Sequence, residues 1–348
     1  MSIGSKKLRA TLNTLSKEEG IVCYLQTKCA VLIGATGVIF SVSVSGQTSP
    51  STESNTRMAW GTPDLQGVWS TATVTPLQRP EGAAEFLTDE EIAEIERQAV
   101  IEANDEARGQ TQQADVRGAY NDFWWDRGTQ VAGSQRTSLI FDPQDGRLPA
   151  LTSSAKAYAD SDEALIARET RRGMHPAASY TDTDLWDRCL TRGLPLRPGP
   201  YNNNFQIFQT ENHLVVLHEM IHDARIIPIE NRPGIVSPAI PQWFGTSSAH
   251  WEGDTLIVVT KNFAKKQELP FEPQMTSAGM TLTERFSPRG DGLLNYEYTV
   301  DHPTIYSEPW SAQLPLRRLE GNTYEYACHE GNYGLTGILQ GSRNIENR

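Results

Sequence analysis

The chain has 348 residues, of which 38% are hydrophobic and 21% charged, and its formal net charge is −12 at pH 7. This composition is typical of an ordinary globular protein and excludes a disordered chain. The acidic balance argues against nucleic acid or an anionic membrane surface as the main partner. The predicted barrel described below is the reason to expect a small-molecule ligand or substrate instead. The sequence does not indicate an oligomeric state.

The N-terminal segment has the features of an export signal. Lys28 precedes an apolar run over residues 30–44, and Val44 and Gly46 then place small residues at the −3 and −1 positions of a cut before Gln47. The run is short for a membrane span. We expect residues 1–46 to be a cleaved signal peptide and the protein to be periplasmic or secreted. An uncleaved membrane anchor is the alternative, because the two kinds of segment overlap in length.

Residues 47–60 are polar and lack hydrophobic periodicity, which predicts a linker. A single mainly β domain is expected over residues 61–348, with a helical insertion around 86–192. It begins with the Gly-Val-Trp sequence at 67–69, which follows a Pro-Asp turn and opens a strand. This G-x-W start resembles that of lipocalin-type barrels, in which the tryptophan closes one barrel end.

Three helices are predicted in the insertion. The Thr-Asp-Glu-Glu sequence at 88–91 is a capping box and predicts a helix over residues 89–108. A second helix is expected over residues 153–168 and a short third one over 182–189.

Aromatic side chains in two irregular segments are candidate ligand contacts. Trp124 and Trp125 are adjacent in the loop after the first helix, and Tyr201 lies in a Pro/Gly-rich segment. Adjacent aromatic residues in a loop can line a ligand site. A hydrophobic plug beneath a loop explains the two tryptophans equally well.

The second half of the chain is predicted to be a β meander. Turn signals at residues 211–212, 252–254, 289–292 and 320–322 each separate two strand-like runs. The expected later hairpins are TSSAHW with TLIVVT, MTLTERF with LLNYEYTV, and LPLRRL with TYEYAC. With the G-x-W strand and a strand at 137–141 there are about eight to ten strands, enough for a lipocalin-like antiparallel barrel around one small ligand.

Residues 218–222, HEMIH, match the zinc-protease pattern H-E-x-x-H. On a helix the two histidines would share a face and bind one metal ion. On a strand they would lie about 13 Å apart, too far for one zinc ion. The β-branched residues around this stretch, the turn at 211–212 and Pro228 favour a strand. A zinc site at His218 and His222 is the alternative.

Alternation along the strands predicts which polar side chains face the interior. Glu219, Glu284 and Tyr298 each share a face with apolar neighbours. A buried acid is costly unless it is paired or protonated, so the two glutamates are candidates for acid/base or ligand-binding roles. A structural ion pair with an arginine such as Arg225 or Arg136 is the alternative.

His222 and Arg225 follow Glu219 on the same stretch, and all three are candidate catalytic residues. Residues three apart on a regular strand point to opposite faces, so a bulge at residues 223–224 is needed to bring these side chains together. We expect the three to converge in one pocket.

Cys189 and Cys328 are the cysteines that remain once residues 1–46 are removed. Two cysteines in an exported protein usually pair, which predicts a disulfide bond. That bond would fix the backbone at which His329, Glu330 and Asn332 lie. We expect these residues at the end of a strand, with His329 or Glu330 close to the pocket.

Four motifs in order, GTPDLQGVW, HEMIHDARIIP, HWEGDTLIVVT and YACHEGNYGL, resemble a large family of exported bacterial proteins found mostly without an assigned function. The resemblance covers most of residues 60–345. In that family the first position of HEMIH is commonly aromatic, so His218 departs from the pattern and weakens the zinc interpretation. Glu219, His222 and Arg225 match the pattern and are the residues that the resemblance carries over.

Three functions fit these residues. The first is an exported lyase, isomerase or hydratase acting on a small apolar or aromatic compound, with Glu219 or Glu330 as the base, His222 or His329 as the acid, and Arg225 holding an anion. The second is a non-catalytic carrier that uses the same cavity. The third is a zinc hydrolase. The sequence contains no dinucleotide or phosphate-binding fingerprint, and we expect no cofactor.

Overall fold

The computed structural model describes residues 57–103, 126, 128–230, 237, 239–290 and 292–347. All belong to one unit, Thr52–Arg348. None of the helices in these residues is long and apolar enough to cross a membrane. The expected signal peptide at 1–46, Trp124 and Trp125 lie outside the described residues, so the interpretations of those segments stay predictions.

The described chain is mainly β. Its strands are β1 (Gly67–Ser70), β2 (Ile140–Asp142), β3 (Asn204–Gln209), β4 (His213–His218), β5 (Ala224–Pro228), β6 (Thr246–Glu252), β7 (Thr255–Lys261), β8 (Glu268–Leu269), β9 (Glu272–Thr276), β10 (Thr281–Pro288), β11 (Leu293–Asp301) and β12 (Trp310–Leu319). Its helices are α1 (Asp89–Glu102), α2 (Ser153–Ala159), α3 (Asp162–Arg171) and α4 (Tyr333–Glu346).

One antiparallel sheet of ten strands organises the domain. Its order is β5-β4-β3-β1-β12-β11-β10-β7-β6, and β2 pairs with the start of β12. The two end strands approach each other at a single parallel bridge between Ile229 and Ala249, where the Glu230 N–H donates to the Ala249 carbonyl at 2.8 Å. The strand ladder of the described residues does not otherwise close, so a complete lipocalin-like barrel is not shown.

Alternation along the strands places one face of the sheet in the core. Burial alternates along β10 and β11, and Glu284 and Tyr298 are 0% and 1% exposed, as the pattern predicts. The inward side chains form one continuous core with large aromatic residues at its centre. Prominent among them are Trp310, Tyr296, Phe205 and Phe286.

A buried ion pair joins two distant strands of the sheet. The Arg225 guanidinium on β5 donates to both carboxylate oxygens of Glu284 on β10, at 3.1 and 2.7 Å. It also donates to Thr260 at 3.2 Å, and the Tyr296 hydroxyl donates to Glu284 at 2.9 Å. Since β5 ends the sheet and β10 lies near the opposite end, the sheet must curl until its inner faces meet. Of the two interpretations of Glu284, an acid/base or ligand-binding role and a structural ion pair, the structure therefore supports the ion pair with Arg225.

The predicted helices differ from the observed ones in their limits. The capping box at Thr88 is present, and α1 follows it but ends at Glu102. The expected helix over 153–168 is two helices, because Ser161 caps a new helix start with its hydroxyl. The predicted third helix over 182–189 is absent, because Tyr180–Asp182 is a 3-10 turn and residues 185–189 form turns. Helix α4 was not predicted.

The expected hairpin between LPLRRL and TYEYAC is wrong. The first run belongs to β12, which pairs with β11 along most of its length and with β1 at its end. Both edges of β12 are thereby occupied, so residues 323–328 form no strand. They instead extend to the end of β4, where the Tyr324 N–H contacts Glu219.

We predict that removing one partner of the buried ion pair strongly destabilises the protein. Arg225→Met leaves the Glu284 charge buried without its cation and should lower the free energy of unfolding by about 3–5 kcal/mol. Adding Glu284→Leu should restore a large part of the loss. The measurement is urea unfolding at pH 7, with Arg285→Met on the opposite face of β10 as the control. A loss for Arg225→Met no larger than that of the control would contradict the prediction.

Candidate functional site

The turn between β4 and β5 has an unusual backbone. It contains a 3-10 turn, Met220–His222, in which Ile221 and His222 have φ angles of 68° and 55°. L-residues rarely adopt this left-handed conformation, least of all when β-branched, so the turn is held by its surroundings at a cost in free energy. The break from regular strand geometry lies at these two residues and not at 223–224, where it was expected.

This turn separates the three side chains that were expected to converge. Glu219 is 2% exposed and lines a large cavity at the end of β4. Arg225, at 4% exposed, points to Glu284 and lines a different cavity of about 350 Å³ beside Phe244. His222 is exposed. The left-handed turn leaves His222 at the surface, and β5 directs Arg225 into the core, so no common pocket forms. Their catalytic roles stay predictions.

The cavity beside Glu219 has a volume of about 960 Å³. Its walls come from Asp126, the start of β3, the turn after β4, the segment 186–202 and the C-terminal segment 324–332. It is lined by Asp126, Trp186, Asp187, Tyr201, Asn202, Asn204, Glu219, Tyr324, Glu325, Tyr326, Ala327, Cys328 and Asn332.

Buried polar atoms without a partner cluster at this wall. Glu219 accepts one hydrogen bond, from the Tyr324 N–H at 3.4 Å, while its Oε2 is buried and has no partner among the described residues. The same holds for Asn204 Oδ1 and His218 Nε2. Asn204 adjoins Glu219, because its carbonyl accepts the Glu219 N–H at 3.0 Å. Unpartnered buried polar atoms are costly, so Glu219 and Asn204 make this cavity the candidate site.

His218 faces the inner side of the same strand end. Its ring stacks on Phe244 with 5.0 Å between ring centroids, and it lines a small cavity that shares Tyr201 and Asn204 with the large one. Burial, with a smaller contribution from the Arg225 charge, lowers the pKa of His218 to about 3. The imidazole is therefore neutral at physiological pH.

The zinc alternative lacks the geometry that it needs. HEMIH spans a strand end and a left-handed turn instead of an α-helix, so its histidines do not share a helix face. His218 is directed inward and His222 is exposed. In the part of the chain that the structure describes, no group of three or more His, Cys, Asp or Glu side chains is placed to hold a metal ion.

The predicted disulfide bond between Cys189 and Cys328 is present, with 5.7 Å between the Cα atoms. It fixes the C-terminal segment against residues 186–189. Asn332 reinforces this contact by donating to the Asp187 carbonyl at 2.9 Å, and its side chain also caps α4. His329 and Glu330 are exposed and lie just beyond the residues that line the cavity.

Two groups at the cavity have shifted protonation equilibria. Burial raises the pKa of Asp187, and the neighbouring Asp184 charge adds to the effect. Burial also raises the pKa of Tyr201, and the neighbouring Tyr326 adds to the effect. Tyr201 packs against Trp186 at 5.9 Å between ring centroids. Of the residues expected to bind a ligand, Tyr201 and Asn332 thus line the cavity, whereas Glu284 and Tyr298 lie in the core.

Several cavity residues were not recognised from the sequence. They are Trp186, Asp187, Asn204, Tyr324 and Tyr326. The alternating tyrosines of TYEY are typical of a strand, which hid their position on a cavity wall. Their proximity to Cys328 was the available signal, since a disulfide partner of Cys189 must bring this segment to residues 186–187.

We predict that the disulfide bond holds the cavity wall in place. Protein lacking residues 1–46, unfolded without reductant, should show no free thiol. Replacing both Cys189 and Cys328 by serine should lower the free energy of unfolding by about 2–5 kcal/mol. Hydrogen exchange should increase at residues 324–332 and stay unchanged in β10 and β11. Two titratable thiols in the unreduced protein would refute the bond.

We predict that His218 makes the fold sensitive to acid. Its folded pKa of about 3 lies below the ordinary value of about 6.5. Between these values the unfolded chain binds a proton that the folded chain does not. Stability should therefore fall as the pH is lowered through this window, by up to about 1.4 kcal/mol per pH unit. His218→Phe should flatten that dependence, and NMR titration of the ring should find it neutral at pH 5. A midpoint near 6.5 would contradict the assignment.

Comparison with protein-family models, with curated proteins and with solved structures found no match for this chain. The site must therefore be interpreted from its own geometry, and the resemblance of the four motifs stays an expectation. Their positions are informative in themselves. HEMIHDARIIP supplies Glu219 and YACHEGNYGL supplies Tyr326, Cys328 and Asn332 to one cavity wall. Segments far apart in the chain thus build a single site.

Proposed function

We propose that this protein is an exported small-molecule enzyme in which Glu219 exchanges a proton with a substrate in the large cavity, in chemistry of the lyase, isomerase or hydratase type. The observation that carries the proposal is the Glu219 side chain, which lines the cavity, is 2% exposed and has a buried Oε2 without a partner among the described residues. A buried acid with a free oxygen is costly to the fold and suited to general acid/base work.

A second proton-transfer group is needed for such chemistry, and Asp187 is the best candidate on the cavity wall. Burial raises the pKa of its carboxyl group, which favours the protonated form that can act as an acid. Asp187 takes this role in the proposal in place of His222 and His329, which are exposed. Arg225 is already paired with Glu284, so it is not proposed to hold a substrate anion.

Export and the barrel-like architecture belong to the same proposal. The signal-like sequence at 1–46 supports export, and the Cys189–Cys328 bond is of the kind that persists in oxidising compartments. The bridge between Ile229 and Ala249 supports an almost closed, lipocalin-like curl of the sheet. The substrate is proposed to lie at the end of the sheet, because aromatic side chains fill the core.

A non-catalytic carrier is the second candidate. It is favoured by the lining of the cavity, because four aromatic residues line it and aromatic side chains bind small molecules without any chemistry. Catalysis distinguishes the two, since a carrier returns its ligand unchanged.

We predict that turnover depends on the proton of Glu219. Ligands retained by the purified protein from a metabolite extract would be identified by mass spectrometry and incubated with fresh protein. Glu219→Gln keeps the shape of the side chain and should lower the rate of conversion by about 10²–10⁴-fold. Glu320→Gln, an exposed acid outside the cavity, is the matched control. If neither the unaltered protein nor any variant converts the retained ligands, the protein is a carrier.

A further inference from the structure

We infer that the ligand of the large cavity carries a cationic nitrogen, an ammonium or guanidinium group, which pairs with Glu219. This inference rests on the proposed function only in placing the ligand in this cavity. It adds the chemical class of the group that binds deepest.

The charge of the cavity wall is one-sided. Asp126, Asp187, Glu219 and Glu325 line the cavity, whereas no lysine, arginine or histidine is among the described residues that do so. An anionic ligand would meet acidic side chains on this lining, and the Arg192 guanidinium nearby is already stacked on Trp186. The field inside the cavity therefore favours a cation.

Glu219 gives this field a specific point of contact. Its carboxylate is 2% exposed, and no basic side chain of the described chain forms an ion pair with it. Its one hydrogen bond, from the Tyr324 N–H, is long at 3.4 Å, and Oε2 has no partner. A buried, unpaired carboxylate destabilises the protein until a cation compensates its charge. The neutral hydroxyl groups of a polyol would satisfy the oxygen but not the charge.

A second acceptor lies beside the first. Asn204 Oδ1 is buried and unpartnered, and Asn204 adjoins Glu219 because the two residues share a backbone hydrogen bond of 3.0 Å. Ammonium and guanidinium groups carry several N–H donors, so one such group can donate to both oxygens. Hydrogen bonds of this kind are stronger when the donor is charged.

The aromatic side chains define the rest of the ligand. Trp186, Tyr201, Tyr324 and Tyr326 line the same cavity. One face of the Trp186 ring already holds a cation, because the Arg192 guanidinium carbon lies 3.7 Å from the ring centroid. Aromatic rings bind both organic cations and flat apolar groups. The ligand class is therefore a cationic nitrogen on a compact apolar or aromatic body, with room for more atoms in a cavity of about 960 Å³.

The inference is tested with three probes of nearly equal size, benzylamine, benzyl alcohol and benzoate, by calorimetry at pH 7 on the protein with its disulfide intact. We expect benzylamine to bind at least about tenfold more tightly than benzyl alcohol, and benzoate not to bind, because only the amine compensates the buried charge. Benzylguanidine should behave as benzylamine does. Equal binding of the amine and the alcohol, tighter binding of benzoate, or no binding of either cation would overturn the inference.

Variants distinguish amine binding in the cavity from amine binding elsewhere on the surface. Glu219→Gln should reduce benzylamine affinity to that of benzyl alcohol and leave the alcohol unchanged, whereas Glu320→Gln should change neither. Unfolding curves identify a variant that fails to fold, and Asn204→Asp then serves as the second test, since an added negative charge should strengthen amine binding. Weaker amine binding by Asn204→Asp would also overturn the inference.

The outcomes distinguish this inference from the proposed function. If the protein converts a neutral substrate and the Glu219→Gln variant does not, the inference of a cationic ligand is refuted. The proposed acid/base function is then supported. If the protein binds amines selectively but Glu219→Gln does not alter turnover, the acid/base role of Glu219 is refuted. The inferred cation site is then supported.

Discussion

The ion pair between Arg225 and Glu284 is the constraint on which the site geometry depends. It ties the end strand β5 to β10 through the interior, and Arg225 has only 2% of its side chain exposed. Since Arg225 lies just after the turn that carries Glu219, fixing β5 also fixes where that turn begins and ends. A buried ion pair is weak evidence for stability, because desolvation offsets the attraction. Its contribution here is geometric, in that it selects one curl of the sheet.

The cavity arises because the core and the site use opposite sides of the same strand end. His218 continues the inward alternation of β4 and stacks on Phe244, whereas Glu219 turns away under the C-terminal segment. The Cys189–Cys328 bond holds that segment across a sequence separation of 139 residues. The fold can therefore keep an aromatic, close-packed core while a separate cavity forms outside it. Polar groups that would be costly in the core thus lie beside this cavity.

The sequence allowed the architecture to be predicted better than the site. Alternation of apolar residues in β10 and β11 and the hairpins β6–β7 and β10–β11 depend on local periodicity, which is visible along the chain. The predicted strand is present as β4, which ends at His218, whereas the rest of HEMIH forms a turn. The left-handed turn at Ile221 could not be predicted, since nothing about isoleucine favours that conformation. Tyr324 reaches Glu219 through a contact between distant segments, which periodicity does not encode.

The strained turn and the unpartnered atoms both reduce the stability of the folded chain. Left-handed φ angles at Ile221 and His222, and a free oxygen on Glu219, each raise the free energy of the folded chain without a ligand. Such costs persist in proteins where function requires them and the rest of the fold can offset them. A ligand that pairs with Glu219 binds only the folded state, so it returns part of this free energy as stability. The carboxylate whose burial is costly to the fold is thus the group that we propose recognises the ligand.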